Sequence, residues 1–164
     1  MIDELHQEEP HVEDDEAPRV MLVRVSDDRL ALPVRDVLEV LRARDTMPVP
    51  GTPPWVRGLL ALRGTLVPVA DLARRGGIAT DVPWLVVVER DGRRAALGVL
   101  AIDGVHPVED GERPPLGHPR DTLPRRASVR LLPREVGTAT TAGLPAAADV
   151  LDVGALFEEL FEGE

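Results

Sequence analysis

The chain contains no cysteine and no lysine. The first absence removes disulfides and thiolate chemistry. The second closes every route that needs an amine, from a Schiff base to the lysine of a phosphate-binding loop. Aromatics make up only 2% of the residues (Trp55, Trp84, Phe157 and Phe161), so a core must be built mostly from Val, Leu and Ala. There are two serines, Ser26 and Ser128, and neither sits in a G-x-S-x-G elbow. The four histidines are His6, His11, His106 and His118, without the spacing of a helical zinc site. No G-x-G-x-x-G occurs, and neighbouring acids such as Glu158 and Glu159 point to different directions on a helix. An enzyme is disfavoured across several classes at once, and no cofactor is expected. No apolar run approaches the ~20 residues that span a bilayer. The N-terminus lacks a basic segment followed by an apolar one, so a cytoplasmic protein is expected.

What is present is unevenly placed. The net charge is −10, yet residues 1–16 hold eight acids and no arginine. The rest of the chain then carries 21 acids against 19 arginines. Residues 1–18 therefore read as an acidic, disordered arm. The acidic balance argues against nucleic acid, which selects a basic face. With 164 residues and 43% apolar content, the remainder fits one domain.

The apolar segments are short and rich in Val and Leu, which favours strands. Met21–Val25 and Leu30–Leu32 read as a hairpin around Ser26-Asp27-Asp28-Arg29. Pro33 suits the first position of a helix, and Val34, Val37, Leu38 and Leu41 follow the spacing of one helix face. Val40 falls beyond that stripe, either at a core margin or on an interface. Residues 47–54 hold four prolines and read as a stiff connector. Leu59–Leu62 and Thr65–Val69 read as strands split by Arg63-Gly64. Asp71 caps a short helix, Leu72–Arg75, which Gly76-Gly77 ends. Trp84–Glu89 is a strand, Asp91-Gly92 a hairpin turn, and Ala95–Val105 the return strand. Residues 113–126 hold four prolines and four arginines and read as an exposed loop. Residues 136–149 are rich in Ala, Thr and Gly and carry no clear element. Val150–Val153 suggests a last strand, and Leu156, Phe157, Leu160 and Phe161 a final amphipathic helix with an acidic outer face.

Many short strands with tight turns indicate small β-barrels, and the two halves rhyme: each ends in Asp followed by a short helix. The densest stretch is Pro50–Leu72, PGTPPWVRGLLALRGTLVPVADL, with a proline turn, a Trp anchor and two Arg-Gly pairs. Arg63, beside a glycine at a turn, suits a protein–protein anchor or an internal salt bridge.

Four stretches resemble the CheW-like domain, the adaptor of bacterial chemotaxis arrays. They are Leu22–Val25 with Arg29–Val34; Val37-Leu38-Glu39-Val40; Pro50-Gly51 through Pro54–Gly58, Leu62-Arg63-Gly64 and Val67–Leu72; and Leu100–Val105. Ala61 stands where the family usually has Asn before Leu-Arg-Gly. The resemblance implies a mainly β fold of two small SH3-like five-stranded β-barrels with short helices. The implied layout is a single CheW-like domain over 19–157, with a first barrel at about 19–77 and a second at about 82–153. A short acidic helix follows at 154–164. The resemblance further implies a non-enzymatic adaptor, recruited to membrane receptor arrays. Its partners would be the regulatory domain of a CheA-type histidine kinase and the cytoplasmic tip of methyl-accepting chemoreceptors. Val37, Glu39, Val40, Arg57, Gly58, Leu59, Leu62 and Arg63 would lie at or near those contacts. One alternative is a divergent CheW-like adaptor of a non-motility chemosensory-like pathway that binds the kinase only. Another, of a different class, is a small ligand-binding or hydrolase β-barrel, which would need a concave polar pocket with a perturbed acid or base.

Overall fold

Among the described residues ten strands build two five-stranded sheets. The computed structural model describes residues 18–117, 123–132 and 144–161. The acidic arm up to residue 17 lies outside the described residues. So do residues 118–122 of the expected loop, 133–143 of the Ala/Thr/Gly-rich region and 162–164.

The first sheet holds β1 (Arg19–Arg24), β2 (Arg29–Pro33), β8 (Ala101–Pro107), β9 (Arg125–Arg130) and β10 (Ala147–Leu151). Its order is β8-β1-β2-β10-β9. The second holds β3 (Val37–Arg42), β4 (Val56–Leu62), β5 (Thr65–Asp71), β6 (Trp84–Arg90) and β7 (Arg93–Val99). Its order is β3-β6-β7-β5-β4. Among the described residues two α-helices accompany the sheets, α1 (Leu72–Arg75) and α2 (Val153–Phe161).

Three apolar clusters explain this arrangement. Val20, Leu22, Ala31, Val108, Val129, Ala148 and Val150 fill the inner face of the first sheet. Leu60, Leu62, Val67, Val69, Leu85, Val87 and Ala96 fill that of the second. The largest cluster joins the two, with Val23, Leu30 and Leu32 meeting Val86, Val88, Leu97, Leu156 and Phe157. In β6 the run Leu85–Val88 alternates between the second sheet's own cluster and the shared one, so it is buried on both faces. That is why it is continuously apolar.

The architecture corrects four expectations. The ladders do not close into barrels. Isolated bridges, Val108 to Leu131 in the first sheet and Met47 to Leu59 in the second, touch the edges instead. The sheets also do not divide the chain near residues 77–82. The second is one continuous stretch, 37–99, and the first is assembled from the strands on either side of it. The parallel pairing of β10 with β2 fastens the C-terminal part to the N-terminal hairpin.

The helix expected over 34–41 is instead a 3-10 turn, Val34–Asp36, and strand β3. Apolar residues occupy both parities of this segment, so helical and strand periods fit it equally. Antiparallel pairing with β6 decides between them. The expected return strand 95–105 breaks at Leu100 into β7 and β8, which join different sheets. The Leu100 amide donates to the Arg24 carbonyl at 2.8 Å and carries the chain across.

Other local readings match the structure. Asp71 is the α1 N-cap, its Oδ1 accepting from the Arg74 amide at 2.9 Å. The C-terminal helix buries Leu156 and Phe157. Trp55 lies under the Arg75 guanidinium, 4.7 Å from its ring centroid, and Arg75 reaches Glu159 on α2 at 2.6 Å.

Candidate functional site

The proline-rich connector packs against the first half of β4, where Arg57-Gly58 lies, while Arg63-Gly64 forms the turn at the other end of that strand. Strand β3 is an edge strand of that sheet. Its residues alternate between half-buried (Val37, Glu39, Leu41) and exposed (Leu38, Val40, Arg42). Leu38 is 45% exposed and Val40 36%, a short apolar row on an open edge. Arg42 continues that row, with its guanidinium 4.8 Å from the Trp84 ring centroid.

Arg63 sits in the β4–β5 turn with φ +51°. Its guanidinium forms a two-pronged ion pair with Glu39 across 24 residues of sequence. Nη2 donates to Oε1 at 2.9 Å, and Nη1 donates to Oε2. The guanidinium as hydrogen-bond donor holds the Glu39 carboxyl below its ordinary range, and the charges of Arg44 and Arg94 act in the same direction. Glu39 in turn raises Arg63. The β3 and β4 strands are opposite ends of the ladder order, so this pair ties together two edges that the ladder leaves apart.

Arg57 takes a different role. Its Nε donates to Asp71 Oδ2 at 2.9 Å, and Asp71 is fully buried. That carboxylate serves the α1 cap with one oxygen and Arg57 with the other, so both lone-pair sets are used. Beside Arg57 lies an open cleft of about 450 Å³, lined by Arg44, Asp45, Thr46, Asp81 and Val82 among others.

Gly58 has φ +133° and lies against the backbone of Met47. A Cβ there would stand 2.1 Å from the Met47 carbonyl oxygen. The close approach lets Leu59 and Met47 exchange hydrogen bonds of 2.8 and 2.9 Å. The ladder shifts register between Val56 and Gly58, the signature of a bulge.

The expected contact residues therefore separate into groups. Glu39 and Arg63 are brought together, and Val40 stands exposed one residue away from Glu39. Val37 is half-buried against the shared core. Arg57, Gly58 and Leu59 hold the connector and α1 in place. Leu62 is 4% exposed and fills the inner cluster, so it presents no side chain to a partner. Leu38 was not among the expected residues. The helical reading turned it toward the core, and only recognition of β3 as an edge strand would have exposed it. Leu66, 55% exposed on the hairpin that carries Arg63, was also not among the expected residues, although its segment was read as a strand.

Both serine hydroxyls are committed to local structure. Ser26 Oγ accepts from the Asp28 amide at 3.3 Å, and Ser128 Oγ donates to the Pro114 carbonyl at 2.9 Å. Buried His106 contacts the Asp103 carbonyl through Nε2 at 2.7 Å. Among the described residues, no helix is long and apolar enough to cross a membrane.

Comparison with known proteins bears on this geometry. The model of the CheW-like domain family matches residues 19–131. A 51-residue stretch is 49% identical to Protein FrzA of Myxococcus xanthus, covering 31% of this chain and 32% of FrzA. The alignment thus spans about a third of that relative. The crystal structure of the scaffolding protein TtCheW from Thermoanaerobacter tengcongensis superposes with a TM-score of 0.69 at 23% identity. It covers 90% of this chain and 96% of that one, a likeness of fold.

Proposed function

The chain belongs to the CheW-like domain family, and from that premise we propose that it is a non-enzymatic adaptor of a chemosensory pathway. It holds the regulatory domain of a CheA-type histidine kinase beside the cytoplasmic tip of a chemoreceptor. Receptor conformation then biases kinase activity through a shared scaffold. The protein would act in the cytoplasm, at membrane receptor arrays.

The observation that carries this reading is the β3 edge: Leu38 and Val40 exposed on a rigid sheet, beside the Glu39–Arg63 pair. An apolar centre flanked by a pre-organised arginine fork is the composition of a protein-binding hot spot. Because the ion pair is already formed in the free protein, little side-chain entropy remains to be lost on docking.

The test is a titration with the kinase regulatory domain, comparing wild type with Val40→Asp and Arg63→Ala. Saturable wild-type binding, weakened about tenfold or more in both variants with unchanged melting curves, is the expected result. Absence of wild-type binding at ~100 μM would overturn the kinase contact. A parallel titration with a receptor-tip fragment separates the two-partner adaptor from one that binds the kinase only.

A further inference from the structure

We infer that the cleft beside Arg57 is a binding site for a free α-amino acid with a small apolar side chain. The site is independent of the adaptor reading above.

The walls of the cleft are preformed. The segment that leaves β3 is pinned along its length. The Ala43 amide donates to the Pro83 carbonyl at 3.0 Å, Thr46 Oγ1 donates to the Arg57 carbonyl at 3.3 Å, and Met47 exchanges backbone bonds with Leu59. The volume of about 450 Å³ is ample for one small ligand and a few waters. Arg57 is aimed by a buried group. Its Nε is committed to fully buried Asp71, which fixes the plane of the guanidinium. Both Nη groups stay without a hydrogen-bond partner among the described residues. Nη2 stands 3.8 Å from Asp81 Oδ1, beyond hydrogen-bond range. A fork oriented in this way offers parallel donors to a carboxylate.

The charges of the lining select the ligand. Two arginines, Arg44 and Arg57, and two aspartates, Asp45 and Asp81, share one opening. Arg44 and Asp45 form no ion pair among the described residues, and Arg44 acts on Glu39 only through its field. Asp81 is fully exposed at the rim. The aspartates disfavour a plain anion, and the arginines disfavour a plain cation. A zwitterion satisfies both at once, with its carboxylate on the Arg57 fork and its ammonium on Asp81 beside that fork. Val69, Val82 and Leu85 close the floor, each 5% exposed or less. That floor offers contact to a short apolar side chain and little surface to a long one.

The experiment titrates the full, isotope-labelled chain with L-valine at constant ionic strength and follows its amide and Arg57 Nε–H signals by NMR. The expected result is saturable movement at Thr46, Arg57 and Asp81, with a Kd on the order of 1 mM, as suits a ligand of so few atoms. Isovalerate, which lacks the ammonium, and valinamide, which lacks the carboxylate, should bind about tenfold more weakly. Asp81→Asn changes an exposed group and leaves the Arg57–Asp71 pair in place. It should bring valine down to the affinity of isovalerate. Arg57→Lys, checked by its melting curve, should weaken valine about tenfold, since an ammonium cannot form the fork. No saturable movement at ~50 mM valine overturns the inference. So does movement confined to another surface, or an unaltered Kd in Asp81→Asn. Equal affinity for isovalerate would mean an anion site, and equal affinity for the dipeptide of valine a peptide site; either overturns it. The kinase titration is read separately: if the kinase does not bind, the adaptor reading falls while the valine result stands by itself.

Discussion

Two Arg-Gly pairs lie six residues apart in the sequence, and they do opposite things. In the first, Arg57 reaches inward to a carboxylate with no solvent exposure, and Gly58 is pressed against the Met47 backbone. In the second, Arg63 reaches across an exposed surface to Glu39, and Gly64 has nothing within 4 Å of where a Cβ would stand. The first pair is a clamp that holds the connector and α1. The second is a corner that presents a guanidinium on a stiff platform. The same dipeptide therefore carries stability in one place and surface chemistry in the other, and surroundings alone make the difference.

That contrast can be broken most sharply at the glycines. Gly58→Ala combines a positive φ with a backbone collision, and should cost ~4 kcal/mol. For a chain of this size that lowers the melting temperature by roughly 10 °C, as calorimetry would read directly. A melting point within a degree of wild type would mean that the connector does not rest on Gly58 in solution. Arg57→Ala comes next. It leaves the Asp71 carboxylate buried with only its cap bond, and Arg57 is itself partly exposed, so the expected loss is ~2–3 kcal/mol. Urea denaturation midpoints should show it, and Asp71→Asn in the same background should recover part of the loss.

Gly64→Ala, with φ +82° in open space, should cost only ~1 kcal/mol. Arg63→Ala should cost less still, because exposed ion pairs contribute little. If Arg63→Ala destabilised as much as Arg57→Ala, the division into clamp and corner would be wrong.

The smallest effect is on titration. Glu39 has its folded pKa depressed, first by the Arg63 hydrogen bond and then by neighbouring arginine charge. The pair's contribution is therefore present above the ordinary carboxylate range and disappears as pH falls through the lowered value. Carboxyl NMR should find Glu39 titrating below the ordinary glutamate range, and Arg63→Ala should move it upward. An unmoved titration would show that the crossing ion pair is not maintained in solution.

Much of this was legible in the sequence because it depends on local chemistry. The β1–β2 hairpin, the Asp71 cap, the Asp91-Gly92 turn and the apolar face of α2 each follow from residues within a few positions of one another. The family's motif also marked Glu39 and Arg63 as residues of interest. It could not say that they meet, since their contact spans two strands that lie at opposite ends of a five-stranded order. Nor could it say that Leu62 points inward while Leu38 points out.

By itself, then, the sequence determined a mainly β protein without thiol or amine chemistry, an acidic segment ahead of β1, and where most turns and caps fall. Tertiary structure decided three things. Pairing with β6 made 37–42 a strand, because a short segment with apolar residues at both parities has no periodicity of its own. The transfer of the chain at Leu100 assembled one sheet from strands on either side of the other, because β8 completes its hydrogen bonds only against β1. And the partition of arginines into clamp and corner was settled by where buried carboxylates came to lie, since a guanidinium's role depends on what it faces rather than on its neighbours in sequence.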